Sequence, residues 1–136
     1  MRLRLNTLLL LAVSIAPSAT LAADYTCNGL VQTGERMICS GFEPNWAIAL
    51  TCDGASMSAT FIDGFSGNDV QSTPGTVTFS SSDPWTLSTS HGVEGTIAQT
   101  PAGCTDESDA VRDFTFTPTA APGLSGPFFP FCCRFE

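Results

Sequence analysis

Lysine is absent from this sequence, and arginine occurs only five times. The formal net charge is −8, and it becomes more negative if Arg2 and Arg4 are removed with an N-terminal signal segment. A surface of this charge repels nucleic acid and anionic lipid, so we expect no nucleic-acid partner. The charge is compatible with a basic protein partner, although acidity that only keeps an exported protein dissolved is the simpler interpretation.

Histidine is also scarce, because it occurs once, at His91, and no two cysteines have the CxxC spacing of a zinc site. Two loops are rich in oxygen ligands, residues 63–69 and 106–109, but neither follows the calcium-loop pattern, so solvated loops are the favoured interpretation. We therefore predict no metal and no cofactor. The segment STSHGVEG around His91 is typical of a hairpin turn, and without a GxSxG motif it predicts no hydrolytic triad.

No apolar run approaches the roughly 20 residues that a membrane-spanning helix needs. The run from Leu8 to Ala16 follows a positively charged start and is typical of a secretory signal. Small residues at Thr20 and Ala22 predict cleavage after residue 22, with cleavage one residue later as the alternative, so residues 1–22 are interpreted as a signal peptide.

Residues 23–136 suit a single exported domain. Because no lipobox precedes Cys27, we expect no acyl anchor and no stable membrane insertion. A bacterial periplasm is the expected location, and the extracellular medium is the alternative.

An even number of cysteines in a small exported chain predicts disulfide bonds. The six are Cys27, Cys39, Cys52, Cys104, Cys132 and Cys133. Adjacent residues of a strand point to opposite faces, so the last two are expected to have different partners. Fifteen connectivities are open. Our hypothesis pairs Cys104 with one of the terminal two and Cys39 with the other, which leaves Cys27 with Cys52.

Apolar residues alternate with period two along the chain, whereas no helical repeat is long enough to predict a helix. The alternation is clearest from Trp46 to Cys52 and from Met57 to Phe61, with Asp53-Gly54 between them as a hairpin signal. Other runs lie at residues 25–27, 36–40, 76–80, 85–88, 93–98 and 113–117. About eight short strands predict an all-β fold, a small antiparallel β-barrel or barrel-like sandwich stapled by disulfides.

Turns are predicted at clusters of glycine and proline, among them Pro74-Gly75 and residues 101–103. The best candidate for a helix is a single turn over residues 106–112. The apolar stretch at residues 118–131 is expected to lead into a closing strand pinned by cysteine. The alternative is an exposed aromatic patch that binds a partner.

Glu43 is the candidate for carboxylate chemistry, because Phe42 and Trp46 beside it could form the apolar pocket that raises the pKa of a general acid. A carboxylate-dependent hydrolase would also need a partner such as Asp106 or Asp109, and nothing in the sequence brings them together.

A structural role for the same stretch is the stronger hypothesis. Pro44 favours extended geometry at Glu43, which suits a fixed entry into the strand that begins at Trp46. We therefore predict no catalytic residues, and expect Gly41, Glu43, Pro44 and Trp46 to be structural, with binding as an additional role.

Three stretches resemble a family of small exported bacterial proteins without a settled activity. Cys39-Ser40-Gly41-Phe42-Glu43-Pro44-Asn45-Trp46 resembles the family's C-G-N-E-P-F-W signature, with departures where Asn and Phe are usual. Residues 104–109, CTDESD, are similar to its C-x-D-x-x-S-D segment, and Cys132-Cys133-Arg134 to its terminal G-C-A. The resemblance implies that the chain is exported and shares the fold of that family, but it implies no activity.

A second resemblance covers five residues. Tyr25-Thr26-Cys27-Asn28-Gly29 is similar to the Y-x-C-x-x-G opening of MliC-type inhibitors of c-type lysozyme, with the glycine one position earlier. It implies a small periplasmic or lipid-anchored barrel with an inhibitory loop, and an acidic surface would suit a basic lysozyme. Those inhibitors use a serine and a lysine, and lysine is missing here.

These features predict an exported, non-catalytic binding or envelope-associated module. The alternative is a protein inhibitor of a basic cell-wall hydrolase, similar to the c-type lysozyme inhibitors. A carboxylate-dependent hydrolase is the third hypothesis.

Overall fold

The chain forms ten β-strands in the computed structural model, which describes residues 26–41, 45–54, 56–64, 71–80 and 82–136. The strands are β1 (Thr26–Cys27), β2 (Val31–Gln32), β3 (Arg36–Gly41), β4 (Trp46–Asp53), β5 (Ser56–Asp63), β6 (Gln71–Phe79), β7 (Trp85–Thr89), β8 (Glu94–Thr105), β9 (Val111–Ala120) and β10 (Phe131–Phe135). These ranges contain no helix, and thus none that is long and apolar enough to cross a membrane.

Eight strands, β3 to β10, form a closed antiparallel barrel in the order β10-β3-β4-β5-β6-β7-β8-β9. From β3 to β9 each strand pairs with the next in sequence, and β10 inserts between β9 and β3. The predicted barrel of about eight short strands is confirmed, and so is a closing strand at the end of the apolar C-terminal stretch. β1 and β2 form a separate two-stranded pair.

The interior of the barrel is filled by the alternating apolar face of its strands, as the period-two pattern predicts. Trp46, Ile48 and Leu50 of β4 are all buried. The Trp46 ring is the centre of an aromatic cluster, and its centroid lies 4.7 Å from that of Phe131 and 5.5 Å from that of Phe61.

Three disulfide bonds join the described strands, and none of the six cysteines is free. They connect Cys27 with Cys52, Cys39 with Cys133 and Cys104 with Cys132, which confirms the predicted pairing. Cys133 is buried in the core, whereas its neighbour Cys132 lies on the outer wall. Disulfides persist in oxidising compartments, so this set is compatible with an exported protein.

The β8–β9 hairpin runs past the barrel wall and folds back onto its outer surface. Cys132 lies opposite Thr115 of β9, whose partner on β8 is Ala98. Cys104, the disulfide partner of Cys132, nevertheless lies well beyond Ala98 along β8. The reversal takes place at an irregularity in the ladder between Gln99 and Cys104.

Two of the predicted turns are wrong, because both positions lie within strands. Residues 101–103 form this irregular part of β8, where Gly103 has a φ of 77° that glycine adopts without strain. Pro74-Gly75 lies inside β6. Proline is tolerated there because Pro74 has a ladder partner only on β5, and the pairing of β6 with β7 begins at Val77.

The helical turn predicted over residues 106–112 is also wrong. Asp109 has a φ of 61°, which an α-helix does not allow, and Val111 already belongs to β9. The side chain of Asp106 accepts hydrogen bonds from the backbone N–H groups of Ser108 and Ala110, and this local competition favours a turn.

Candidate functional site

A groove lies on the outer wall of the barrel, between the folded-back β8–β9 hairpin and the strands β3 and β10. We call it the outer crevice. One part has a volume of about 370 Å³ and is lined by Ser40, Asp106, Glu107, Arg112 and Arg134, among others. A second part of about 240 Å³ shares Ser40, Asp106 and Glu107 with the first and adds Phe129 and Pro130.

Three distant stretches of sequence meet at the outer crevice. Ser40 and Gly41 come from the first, Asp106 and Glu107 from the second, and Arg134 from the third. These are the stretches that carry the resemblance to the family of small exported proteins. The disulfide between Cys104 and Cys132 draws the second stretch against the third.

Asp106 organises the tip of the β8–β9 hairpin. Its Oδ1 accepts hydrogen bonds from the N–H groups of Ser108 and Ala110 and from the Ser108 hydroxyl. Its Oδ2 accepts one from Arg112 Nε at 2.7 Å. The Ser108 hydroxyl and then the Arg112 guanidinium hold the pKa of the Asp106 carboxyl well below its usual range. Asp106 is therefore an ionised acceptor at neutral pH, and it has no proton to donate as a general acid.

Two arginines face the outer crevice, and each is held by a neighbour. Arg112 uses Nε for Asp106, and its terminal nitrogens form no hydrogen bond with a described residue. Arg134 donates to Glu136 Oε1 at 2.9 Å and to Ser40 Oγ at 3.4 Å. Their side chains are 31% and 38% exposed, so both guanidinium groups remain accessible to a ligand.

Sequence reasoning did not identify these arginines as site residues. The available signal was their scarcity, because only three arginines lie beyond residue 22 and two of them line one groove.

The structure describes two of the four signature residues. A Cβ built on Gly41 would lie 2.6 Å from Phe131 Cδ1, so glycine is required for this strand to approach the ring. Trp46 is buried, and its indole N–H has no hydrogen-bond partner among the described residues. Glu43 and Pro44 lie outside the described residues, and the structural role of Glu43 stays a prediction.

His91 lies in the turn between β7 and β8, as its flanking sequence predicts. Its Nδ1 is 3.0 Å from the Thr89 hydroxyl, which also donates to the Val93 carbonyl and accepts the Val93 N–H. That hydroxyl has one hydrogen, which either the Val93 carbonyl or His91 Nδ1 can accept. Gly75 leaves space for this ring, since a Cβ there would lie 2.6 Å from His91 Cδ2.

Only part of the two oxygen-rich loops falls within the described residues. Residues 65–70 are outside the described ranges, and the carboxylate of Asp106 is occupied by its own turn. Among the described residues, no three His, Cys, Asp or Glu side chains are grouped closely enough to hold a metal ion.

The loops at one end of the barrel carry carboxylates that form no ion pair with a described residue, although Asp83 Oδ1 accepts a hydrogen bond from the Gln99 N–H at 3.1 Å. We call this end of the barrel the acidic end and define it by Glu35, Asp53 and Asp83, which lie at the β2–β3, β4–β5 and β6–β7 connections. All three arginines that the structure describes are in ion pairs: Arg36 and Arg134 with Glu136, and Arg112 with Asp106. None of the three carboxylates of the acidic end forms an ion pair with a described residue.

The lowered pKa of Asp106 predicts a specific dependence of stability on pH. A carboxyl whose pKa falls on folding adds stability that is complete above its unfolded pKa, about 3.9, and is lost as the pH falls through the folded value. The Tm difference between the wild type and Asp106→Asn should therefore be largest above pH 5 and shrink at pH 2.5, as measured by circular dichroism.

The matched control for that experiment is Asp109→Asn, in the same loop. Asparagine accepts the positive φ of this position, and the Asp109 side chain has no part in the hydrogen bonds to Asp106. Its Tm should follow that of the wild type at every pH. A pH-independent difference for Asp106→Asn would contradict the assignment.

Comparison with known proteins identifies no relative for this chain. No protein-family model matches it, and neither the curated proteins nor the solved structures contain a match.

Proposed function

We propose that the protein is an exported, non-catalytic binding module that recognises a basic protein through the acidic end of its barrel. The observation that carries this proposal is the internal pairing of every described arginine. Each described arginine therefore has a carboxylate partner within the chain, whereas the carboxylates of the acidic end have no ion-pair partner among the described residues. Asp53 and Asp83 are both exposed.

Electrostatics of this kind act on association more than on the final affinity. A surface of one sign steers an oppositely charged partner and accelerates encounter, and salt weakens the effect. The closed barrel supports such a role, because it holds its loops at fixed positions without exposing strand edges. The three disulfide bonds suit a module that works outside the cytoplasm.

Inhibition of a basic cell-wall hydrolase is the second candidate function. The acidic end favours it, because an enzyme that acts on a polyanionic wall is commonly basic and would be attracted to these loops. The barrel and the opening around Cys27 fit the resemblance to inhibitors of c-type lysozyme, but the serine and lysine pair of those inhibitors has no lysine here.

A titration of the oxidised protein into a c-type lysozyme lysis assay tests both candidates. If the inhibitor proposal is correct, half-inhibition should occur at about 1 μM or below, and added salt should raise that concentration. Binding by calorimetry without inhibition would support the binding module alone. The absence of both binding and inhibition at 50 μM would contradict lysozyme as the partner. In that case a pull-down with the immobilised protein should still retain basic envelope proteins.

Matched variants locate the surface in the same assay. Asp53→Asn combined with Asp83→Asn removes two charges of the acidic end while keeping hydrogen-bond acceptors, and should weaken binding roughly tenfold at low salt. Glu94→Gln removes an exposed charge at the opposite end and should have little effect. Equal effects of the two changes would contradict recognition through the acidic end.

The hydrolase hypothesis receives the least support. Asp106, one of the two carboxylates considered as a partner for Glu43, is bound within its own turn and ionised. No activity is therefore proposed for it.

A further inference from the structure

The charged part of the outer crevice has the chemistry of a carboxylate receptor. The planar fork of an arginine matches a carboxylate in two parallel hydrogen bonds. Arg112 meets this requirement, because Asp106 fixes its Nε and its terminal nitrogens are free of any described partner. Arg134 lines the same space from the other wall.

The other part of the crevice adds apolar side chains to the polar ones that both parts share. Phe129 and Pro130 line it, and the Phe129 side chain is 61% exposed, which makes it one of three large apolar side chains exposed among the described residues. Val111 and Phe135 are the other two, and neither lines the crevice. An exposed aromatic group beside a groove marks a binding surface more often than an isolated one does.

We propose that the outer crevice binds the C-terminal end of a peptide. The terminal carboxylate is bound by the Arg112 and Arg134 guanidinium groups, and the apolar side chain of the last residue packs against Phe129 and Pro130. Capture of a terminal carboxylate is a recurring mode of peptide recognition. The site is distinct from the acidic end, so this inference does not depend on the proposed function.

The charges of the crevice select this ligand over other anions. Asp106 and Glu107 line the crevice together with the two arginines, and Glu136 is ion-paired with Arg134, so two positive charges lie among three negative ones. A phosphate or another multiply charged anion would be repelled by these carboxylates, and by a protein whose net charge is −8, more strongly than a singly charged carboxylate is. A single carboxylate next to an apolar side chain suits both parts of the groove.

The two adjoining parts of the groove favour a peptide over a free amino acid. The two parts share Ser40 and Glu107 and continue from Arg112 at one end to Phe129 at the other. A free amino acid would also bring its ammonium group to within one residue of the carboxylate, close to the two arginines. A peptide carries a neutral amide at that place.

The experiment follows the arginine side chains directly. The oxidised protein, labelled with ¹⁵N, has three arginines beyond the signal segment, so its Nε–H region shows one signal for each. Gly-Ser-Gly-Leu with a free carboxylate should shift the Arg112 and Arg134 signals with a Kd on the order of 100 μM, a weak affinity that suits a shallow groove. Arg36, which lies outside the crevice, serves as the internal control.

Two changes to the peptide separate its contacts. The same peptide with a C-terminal amide should bind about tenfold more weakly, because it loses a charge-assisted pair of hydrogen bonds. Replacing its leucine with glycine should weaken binding several-fold. Equal binding of acid and amide, equal shifts at Arg36 and Arg112, or no shift at 10 mM peptide would each overturn the proposal.

Variants of the protein complete the test. Arg112→Gln should bind acid and amide equally, whereas Arg36→Gln should keep the preference for the acid. Phe129→Ser should abolish the preference for leucine over glycine, and Val111→Ser, an exposed apolar position outside the crevice, should retain it. If Arg112→Gln discriminates acid from amide as the wild type does, the assignment of Arg112 is wrong. Because acid and amide are also compared on the wild type, a variant that fails to fold leaves the test intact.

Discussion

Alanine at both Cys39 and Cys133 is expected to lower the free energy of unfolding by about 4 kcal/mol. The bond joins β3 to β10 across a sequence separation of 94 residues, so it restricts the unfolded chain strongly. Both side chains are buried, and alanine removes their packed sulfur atoms as well. Since small domains are stable by about 5–15 kcal/mol, the variant should be close to the limit of folding.

Urea denaturation followed by circular dichroism measures this loss. The comparison is the variant with alanine at both Cys104 and Cys132, whose bond spans 28 residues and lies at the surface of the barrel wall. Its loss is expected to be smaller, about 3 kcal/mol. If the two variants were equally stable, or if their order were reversed, neither the length of the closed loop nor burial would explain the stabilisation.

Alanine at Trp46 is expected to cost about 3–5 kcal/mol, as for other large buried aromatic side chains. The ring contacts Phe61 and Phe131 directly and lies edge-on to Phe116 at 6.3 Å, so its removal leaves a cavity among rings that cannot close without breaking the barrel. The same ring also fills the interior next to the end of β3, where Gly41 pairs with Trp46.

Phenylalanine at Trp46 provides the matched control. Because the indole N–H has no partner among the described residues, this change removes ring volume without removing a described hydrogen bond, and about 1–2 kcal/mol should be lost. Trp85→Phe should lower the free energy of unfolding by more than Trp46→Phe does, since it also removes the 2.8 Å hydrogen bond from Trp85 Nε1 to the Asn28 carbonyl. A loss below 1 kcal/mol for Trp46→Ala would show that Trp46 is not the centre of the core.

The alternation of apolar residues was sufficient to predict most of the barrel. Trp46, Ile48 and Leu50 face inward as predicted, and the hairpin at Asp53-Gly54 joins β4 to β5 with the register Asp53 opposite Ser56. These features depend on neighbours in sequence, which is why one sequence reveals them. The different partners of Cys132 and Cys133 were also predictable, because adjacent residues of a strand point to opposite sides, whereas the full pairing was one hypothesis among fifteen connectivities.

Other features depend on tertiary contacts and could not be predicted. Proline usually interrupts a strand, so the sequence predicts a turn at Pro74, but β6 has no ladder partner on its second side at that position. The outer crevice depends on the reversal of the β8–β9 hairpin, which brings Asp106 next to Arg134. Nothing in the spacing of these two residues indicates that proximity.

The order of the strands along the chain has a consequence for how the protein is made. β10 is the last barrel strand in the sequence, yet β3 has no second neighbour in the barrel until β10 pairs with it. Until then β3 and β9 expose open edges that can pair with other chains. Cys39 remains a free thiol until Cys133 is present, and before then it can form incorrect disulfides with Cys27 or Cys52. We therefore expect correct assembly to require the reversal of early, incorrect disulfides, and the yield of the oxidised protein to depend on a disulfide isomerase.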